Sequence, residues 1–226
     1  MSLRLVIPYS KNLPKMSSII EKNVKLRISA IIPHFNHENF LQKSLEKLSA
    51  QKLPADEIII VDDCSNEESF ERVRQLAAKY HNVKVARNKK NSGVIFTLNR
   101  GLALATGDFV YCGAADDYVT ENLFHDLVKS CPSDLSAGFL TGEVRIENLN
   151  GERLGVRPMV LISNKTQFVE PRLVRRKLAS ADNLFLSVAT LYHREKLIGL
   201  GGFDEKLGPF ADGFVLRQLA LKHGYV

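Results

Sequence analysis

An α/β fold with a mostly parallel central sheet and helices on both faces is predicted by three features of this 226-residue sequence. Short apolar runs of strand character begin near residues 28, 57, 83 and 109. Each is followed by a segment whose apolar residues recur at helical spacing, and the junctions are short and polar. Strand–helix units joined in this way imply right-handed crossovers, which lay the strands in parallel and place helices on both sides.

Residues 1–26 contain Pro8 and Pro14, which break any period, and are expected to form a leader or an edge segment. Ile28-Ser29-Ala30-Ile31-Ile32, closed by Pro33, is apolar throughout, as a strand covered on both faces must be. Asn36 is the expected N-cap of a helix carrying Phe40, Leu41, Leu45 and Leu48 to about residue 51. Glu57-Ile58-Ile59-Ile60-Val61 is the second strand. It is followed by Asp62-Asp63 and by Ser65-Asn66-Glu67-Glu68, which reads as an S-x-x-E capping box before a helix on Phe70, Val73, Leu76 and Ala77. A third strand at Val83-Lys84-Val85 leads through the Asn- and Lys-rich residues 88–92 into a helix. Val94, Ile95, Leu98, Leu102 and Ala105 are expected inward on that helix, with Gly107 closing it. Asp108-Phe109-Val110-Tyr111-Cys112 is the fourth strand, ending in Gly113-Ala114-Ala115-Asp116-Asp117, with a helix expected over about 121–129.

The second half is less regular. A strand pair is expected near 137–147 around a turn at Asn150-Gly151, then a strand over 187–192, glycines over 199–202 and a last helix after Asp212 that stops at Gly224. With no repeat and no linker, residues 27–226 are expected to be one domain with a nucleotide-type half (27–130) and an acceptor-type half (131–226). The sequence stops at Val226 directly after a helix-like segment, as part of a longer protein would.

The composition, 45% hydrophobic and 25% charged, excludes disorder and fibrous structure, and a chain this long buries a core without staples. Three cysteines without CxxC or Cys/His spacing argue for reduced thiols in the cytoplasm and against a zinc site. The net charge of +6 suggests an anionic ligand. Nucleic acid is not expected: there is no Trp, no RNP-like aromatic pattern, and the basic residues are spread along the chain. No apolar run reaches spanning length, and the first 27 residues carry lysines where a signal peptide needs an apolar core.

Two carboxylate doublets, Asp62-Asp63 and Asp116-Asp117, fall at the C-terminal ends of predicted strands, where ligands bind in open α/β sheets. Adjacent acids raise each other's pKa, so a metal, a ligand donor or water must compensate. Capping of the following helix by the favourable dipole end is the alternative, and for Asp62 alone the two readings balance. The loop Pro33-His34-Phe35-Asn36-His37 contains neither GxGxxG nor GxxxxGK[ST], which excludes a dinucleotide fingerprint and a P-loop.

Taken in order, Ile31-Ile32-Pro33-x-Phe35-Asn36, Val61-Asp62-Asp63-x-Ser65, Asn91-x-Gly93 with Asn99, Ala105-x-Gly107, Asp116-Asp117, and Gly201-Gly202-Phe203-Asp204 before Asp212 resemble the family 2 glycosyltransferases of GT-A fold, from about Arg27 to the end. The resemblance implies a nucleotide diphosphate-sugar donor, with UDP the expected nucleotide. Pro33 and Phe35 would line the base pocket, Phe35 stacking on uracil, and Asp63 would accept the base N3–H. Asn36, Asn91, Gly93, Asn99 and Asp116 would complete the donor site. Asp116 and Asp117 would hold Mg²⁺ or Mn²⁺, which neutralises the leaving diphosphate. Ala114 stands where the family's metal motif has its first acid, and Ala211 stands in place of Glu before Asp212. Asp212 would be the general base of an inverting transfer to a hydroxyl acceptor, a glycan or lipid-linked glycan. His34 and His37 sit in the donor loop and are read as exposed side chains, with a phosphate contact the alternative for both. Arg172, Arg175, Arg176 and Lys177 are assigned either to a solvated helix face or to contact with the acceptor or an anionic membrane surface at the inner face of the membrane. The rival readings are a nucleotide-sugar-binding module that has lost catalysis and a glycoside hydrolase working with two carboxylates.

Overall fold

The computed structural model describes residues 3–5, 26–114, 119–147, 153–158, 160, 162, 165–181 and 183–226. In chain order these form β1 (Leu3–Leu5), β2 (Ile28–His34), α1 (Glu38–Ser49), β3 (Glu57–Asp62), α2 (Glu67–Ala77), β4 (Val83–Arg87), α3 (Val94–Leu104) and β5 (Phe109–Cys112). They continue as α4 (Leu123–Lys129), β6 (Phe139–Thr141), β7 (Val144–Glu147), β8 (Arg153–Val156), α5 (Pro171–Leu178), β9 (Thr190–His193), α6 (Arg194–Ile198) and α7 (Ala211–His223).

The central sheet has the order β4-β3-β2-β5-β9-β6. Strands β2 to β5 are parallel, while β9 runs antiparallel to both β5 and β6. Successive side chains on a strand point to opposite faces. Ile28, Ala30 and Ile32 of β2 accordingly join the core beneath α1, α2 and α4, whereas Ile31 joins the core shared with α3, α5, α6 and α7. Both faces are covered, which is why these strands read as unbroken apolar runs. A second, antiparallel sheet has the order β1-β7-β8, in which Leu3–Leu5 forms an edge strand paired with β7. No helix among the described residues is long and apolar enough to cross a membrane.

Several local expectations need correction. Helix α1 is capped by His37, without a side-chain bond, because Asn36 adopts φ +50 and serves another contact. Helix α2 is capped by Asn66, whose side chain accepts the Ser69 N–H, because Ser65 is spent on Asp62. Phe40 and Val94 are exposed rather than inward. Helix α3 ends at Leu104, and Gly107 instead donates its N–H to Ser29 Oγ. The pair expected within 137–147 is split between sheets: β6 joins β9, while β7 pairs with β8. The turn at Asn150-Gly151 lies outside the described residues. Residues 187–189 form a 3-10 turn before β9.

One buried carboxylate ties three segments together. Glu57 accepts bonds from Ser29 Oγ (2.7 Å), Lys84 Nζ (2.8 Å), and the N–H (2.7 Å) and Oγ1 (2.8 Å) of Thr106. Burial pushes its carboxyl up, but these bonds outweigh burial and hold it at about 2, below its ordinary value of 4.5. The contribution is complete above the unfolded value and is lost as pH falls from 4.5 toward 2. Glu57→Gln is expected to cost about 1–3 kcal/mol near neutral pH. In urea unfolding the gap from the parent should narrow through that acid window, and a gap independent of pH would contradict the assignment.

Candidate functional site

The chain order reverses at β2, which has β3 on one side and β5 on the other. Loops leaving the C-terminal ends of β2 and β5 therefore diverge, and a crevice opens between them. A cavity of about 360 Å³ lies there. Its wall brings together Pro33 near the end of β2, Phe35 from the loop after it, Asp63 from the loop after β3, Asn91 and Gly93 before α3, and Ala114 after β5. Five sequence-derived site residues thus converge: Pro33, Phe35, Asp63, Asn91 and Gly93. Phe35 is 43% exposed, which leaves it accessible to a ligand.

The first carboxylate doublet is divided between two tasks. Asp62 is fully buried and accepts from Ser65 N (3.1 Å) and Ser65 Oγ (2.5 Å), beside Arg87 Nε at 3.3 Å. Burial would raise its pKa, but the bonds from His34 and Ser65 outweigh it and lower the value. His34 is buried rather than exposed. Its Nδ1 lies 3.0 Å from Asp62 Oδ1, and its Nε2 accepts the His37 N–H at 3.2 Å, which places the ring proton on Nδ1. The loop that carries Phe35 is thereby pinned from below. Asn36 pins it from the side: its Oδ1 accepts the Asn66 N–H (3.0 Å) and its own N–H donates to Ser65 Oγ (2.9 Å). Asn36 is not on the cavity wall; it joins the two loops that are.

Asp63 turns the other way and lines the cavity. Its Oδ1 accepts from Asn88 Nδ2 (2.7 Å) and Ser92 N (2.9 Å), and its Oδ2 accepts from Gly93 N (2.8 Å). Gly93 is the N-cap of α3 at φ +87, a conformation strained for residues with a Cβ, so the loop turns at the cavity rim just where a small residue is present. Thr97 donates to Gly93 O (2.8 Å) and lies 3.0 Å from Asn88 Nδ2. It also lines the cavity, with Val94, His34 and His37; the two histidines belong to the expected donor loop, whereas Thr97 and Val94 were not expected there. For Thr97 the signal available was a polar residue just over one turn before the inward Leu102 on the buried side of α3.

Asn99 stands apart from this cavity. Its Nδ2 donates to Phe203 O (2.7 Å) and its Oδ1 accepts the Phe203 N–H (2.9 Å), which clamps α3 to the Gly201-Gly202 loop. Asp116 and Asp117 lie outside the described residues. Among the described residues no group of three or more His, Cys, Asp and Glu side chains is placed to hold a metal ion.

Asp212 is in the first turn of α7, but the cap of that helix is Phe210, so capping is not its task. Its Oδ2 accepts from Ser187 Oγ at 2.5 Å and its Oδ1 from Gly213 N at 2.6 Å. Burial pushes the Tyr192 phenol well up, and the charges of Cys112 and Asp212 add to the effect. Ala211 is fully buried in the core. Asp204 caps the following 3-10 turn through the Lys206 N–H, a structural role.

A doubly wound sheet with a cavity at its switch point, extended by antiparallel strands, defines a nucleotide-diphospho-sugar transferase fold of GT-A type. The chain belongs to glycosyl transferase family 2, whose family description matches residues 29–178. It is 33% identical over 123 residues to a poly(ribitol-phosphate) beta-glucosyltransferase of Bacillus spizizenii, covering 52% of this chain and 19% of that protein. It is 25% identical over 183 residues to a poly-beta-1,6-N-acetyl-D-glucosamine synthase of Staphylococcus epidermidis, covering 78% of this chain and 42% of that one. The chain thus spans less than half the length of these relatives. Among solved structures it is similar to the mannosyltransferase PcManGT of Pyrobaculum calidifontis in complex with GDP-Man and Mn²⁺ (TM-score 0.67, 20% identity, 96% of this chain and 58% of that one). It is also similar to S. aureus TarS 1-349 in complex with UDP-GlcNAc (TM-score 0.66, 23% identity, 89% and 56%).

Proposed function

We propose that this chain is an inverting glycosyltransferase that moves a sugar from a UDP-sugar to a hydroxyl acceptor in glycan or cell-surface polysaccharide synthesis, working in the cytoplasm at the inner face of the membrane. The observation that carries the reading is the convergence of Phe35, Asp63 and Gly93 on one cavity at the switch point. UDP and UDP-GlcNAc are bound in solved relatives of the fold, and the curated relatives named above are polymer glycosyltransferases by name. Phe35 stacks on the base, Asp63 accepts its N3–H beside the bond from Gly93, and Asn91 closes the rim. Asp212 takes the acceptor hydroxyl proton as that oxygen attacks the anomeric carbon. The bond from that carbon to the diphosphate oxygen breaks, and UDP leaves with the electron pair. Asp116 and Asp117 are the residues assigned to Mg²⁺ or Mn²⁺, which supplies Lewis-acid neutralisation of the diphosphate when bound. The exposed arginines of α5, Arg172, Arg175 and Arg176, are assigned to the anionic surface or acceptor. Residues 27–226 are assigned to one domain.

The test is release of UDP from a panel of UDP-sugars with Mn²⁺ and candidate hydroxyl acceptors. Turnover supports the enzyme; binding of UDP without turnover across the panel favours the lapsed module, for which Ala114 on the cavity wall is the supporting observation.

Two further results are expected. UDP should raise Tm only when a divalent cation is present, since the diphosphate and the Asp116-Asp117 carboxylates otherwise repel each other, and EDTA should erase the shift. An equal shift with and without cation would overturn the metal assignment. Phe35→Ala should raise the donor KM about tenfold with kcat nearly unchanged, because base stacking is the same in ground and transition states. A large fall in kcat at saturating donor would place Phe35 nearer the reacting centre.

A further inference from the structure

Asp212 is reached by only one side chain from another element among the described hydrogen bonds: Ser187, whose Oγ donates to Oδ2 at 2.5 Å. The other bond, from the N–H of the adjacent Gly213 to Oδ1, is local and travels with the helix. A carboxylate turns easily about its last side-chain torsion, since that torsion is broad. The local bond holds one oxygen; a second, fixed donor is what sets the carboxylate plane. Ser187 is well placed to be that donor, because its own backbone is anchored. It opens the 3-10 turn that runs directly into β9, where Ala189 and Thr190 are fully buried. The hydroxyl of Thr190 lies 2.8 Å from the Leu186 carbonyl and 3.1 Å from Thr141 Oγ1, tying the start of the turn to both β9 and β6. The hydroxyl that meets Asp212 is therefore referenced to the central sheet, the same body whose strand ends build the donor cavity.

We infer that Ser187 is a positioning residue for the transfer step, holding the Asp212 carboxylate at a fixed orientation relative to the donor cavity. The inference rests on the reading of Asp212 as the base. Ser187 exchanges no proton with the substrate. Its hydroxyl remains the donor to Oδ2, and each carboxylate oxygen keeps a further lone pair for the incoming acceptor proton. Loss of such an orienting bond leaves a base that is present but misdirected, and a displacement of that kind slows a reaction without weakening ground-state binding.

The experiment is a double-mutant cycle on Ser187→Ala and Asp212→Asn. UDP release from UDP-GlcNAc with Mn²⁺ is followed with water as the acceptor, and UDP affinity is measured by calorimetry. Ser187→Ala is expected to lower kcat roughly tenfold with donor KM and UDP affinity unchanged, and Ser187→Thr, which keeps the hydroxyl, to restore most of the rate. In the Asp212→Asn background Ser187→Ala should cause no further loss, a non-additivity that a merely structural role would not produce. If Asp212→Asn turns over at the parental rate, the base assignment fails. If Asp212→Asn is slow but Ser187→Ala keeps the parental rate, or Ser187→Ala is equally damaging in both backgrounds, the positioning role alone is overturned. Where transfer to water is too slow to read, the parent, Ser187→Ala, Asp212→Ala, which removes the acceptor oxygen, and the double variant are unfolded in urea. A coupled pair supports the link, and strictly additive changes overturn it.

Discussion

Asp212→Asn is expected to lower sugar transfer by roughly 10²–10⁴-fold while leaving the fold and the affinity for UDP as they are. The fold should survive because Asp212 does not cap α7, and an amide oxygen can still accept from Ser187. UDP binding should survive because Asp212 is not on the wall of the donor cavity. What is removed is the capacity to take a proton. Calorimetry with UDP beside a UDP-release assay separates the two properties in one pair of proteins. Parental turnover in the variant would move the base elsewhere in the 199–212 stretch, whereas a parent that binds UDP and never turns over would identify a binding module.

Asp63→Asn should instead weaken donor binding. The native carboxylate accepts three donors, Asn88 Nδ2, Ser92 N and Gly93 N, while being almost wholly buried. An amide presents one oxygen and one NH₂, so at least one of those donors meets another donor and is left unsatisfied. A buried unsatisfied group costs about 1–3 kcal/mol, and the loss falls on the loop that forms the cavity rim. UDP affinity is expected to fall about 10²-fold, which corresponds to nearly 3 kcal/mol, with a lower Tm. A lower Tm with unchanged UDP affinity would confine Asp63 to a structural role.

How much of this was legible in the sequence follows from which interactions are local. Strands β2 to β5 and their helices could be read because burial on both faces leaves an unbroken apolar run, and helical spacing follows each one. The caps were misread by one residue at both Asn36 and Ser65 for a common reason. Each of those side chains bonds across to the neighbouring loop, and no local rule distinguishes a polar residue that caps its own helix from one that holds another segment. Asn99 was assigned to the donor by resemblance, yet its amide is committed to Phe203, a pairing across 104 positions that spacing cannot reveal. The same holds for β6, whose partner lies about fifty residues downstream instead of in the adjacent hairpin. That Asp63 stands at a strand end facing the crevice was legible, but the three bonds that tie it to the loop were not.

The place of β9 in the sheet has a consequence for how the chain is made. β5 pairs with β9 through Phe109 and His193, and β6 pairs with β9 in turn, so neither can complete its ladder until residue 193 has left the ribosome. At ordinary elongation rates the outer edge of β5 therefore stays open for on the order of ten seconds after it emerges. An unpaired edge of apolar residues such as Phe109, Val110 and Tyr111 is a template for pairing with another chain. Truncations that end before Thr190 leave that edge open permanently. They should accumulate as aggregates even though every strand and helix of the first half is present, whereas chains that extend past His193 are protected by a single four-residue strand.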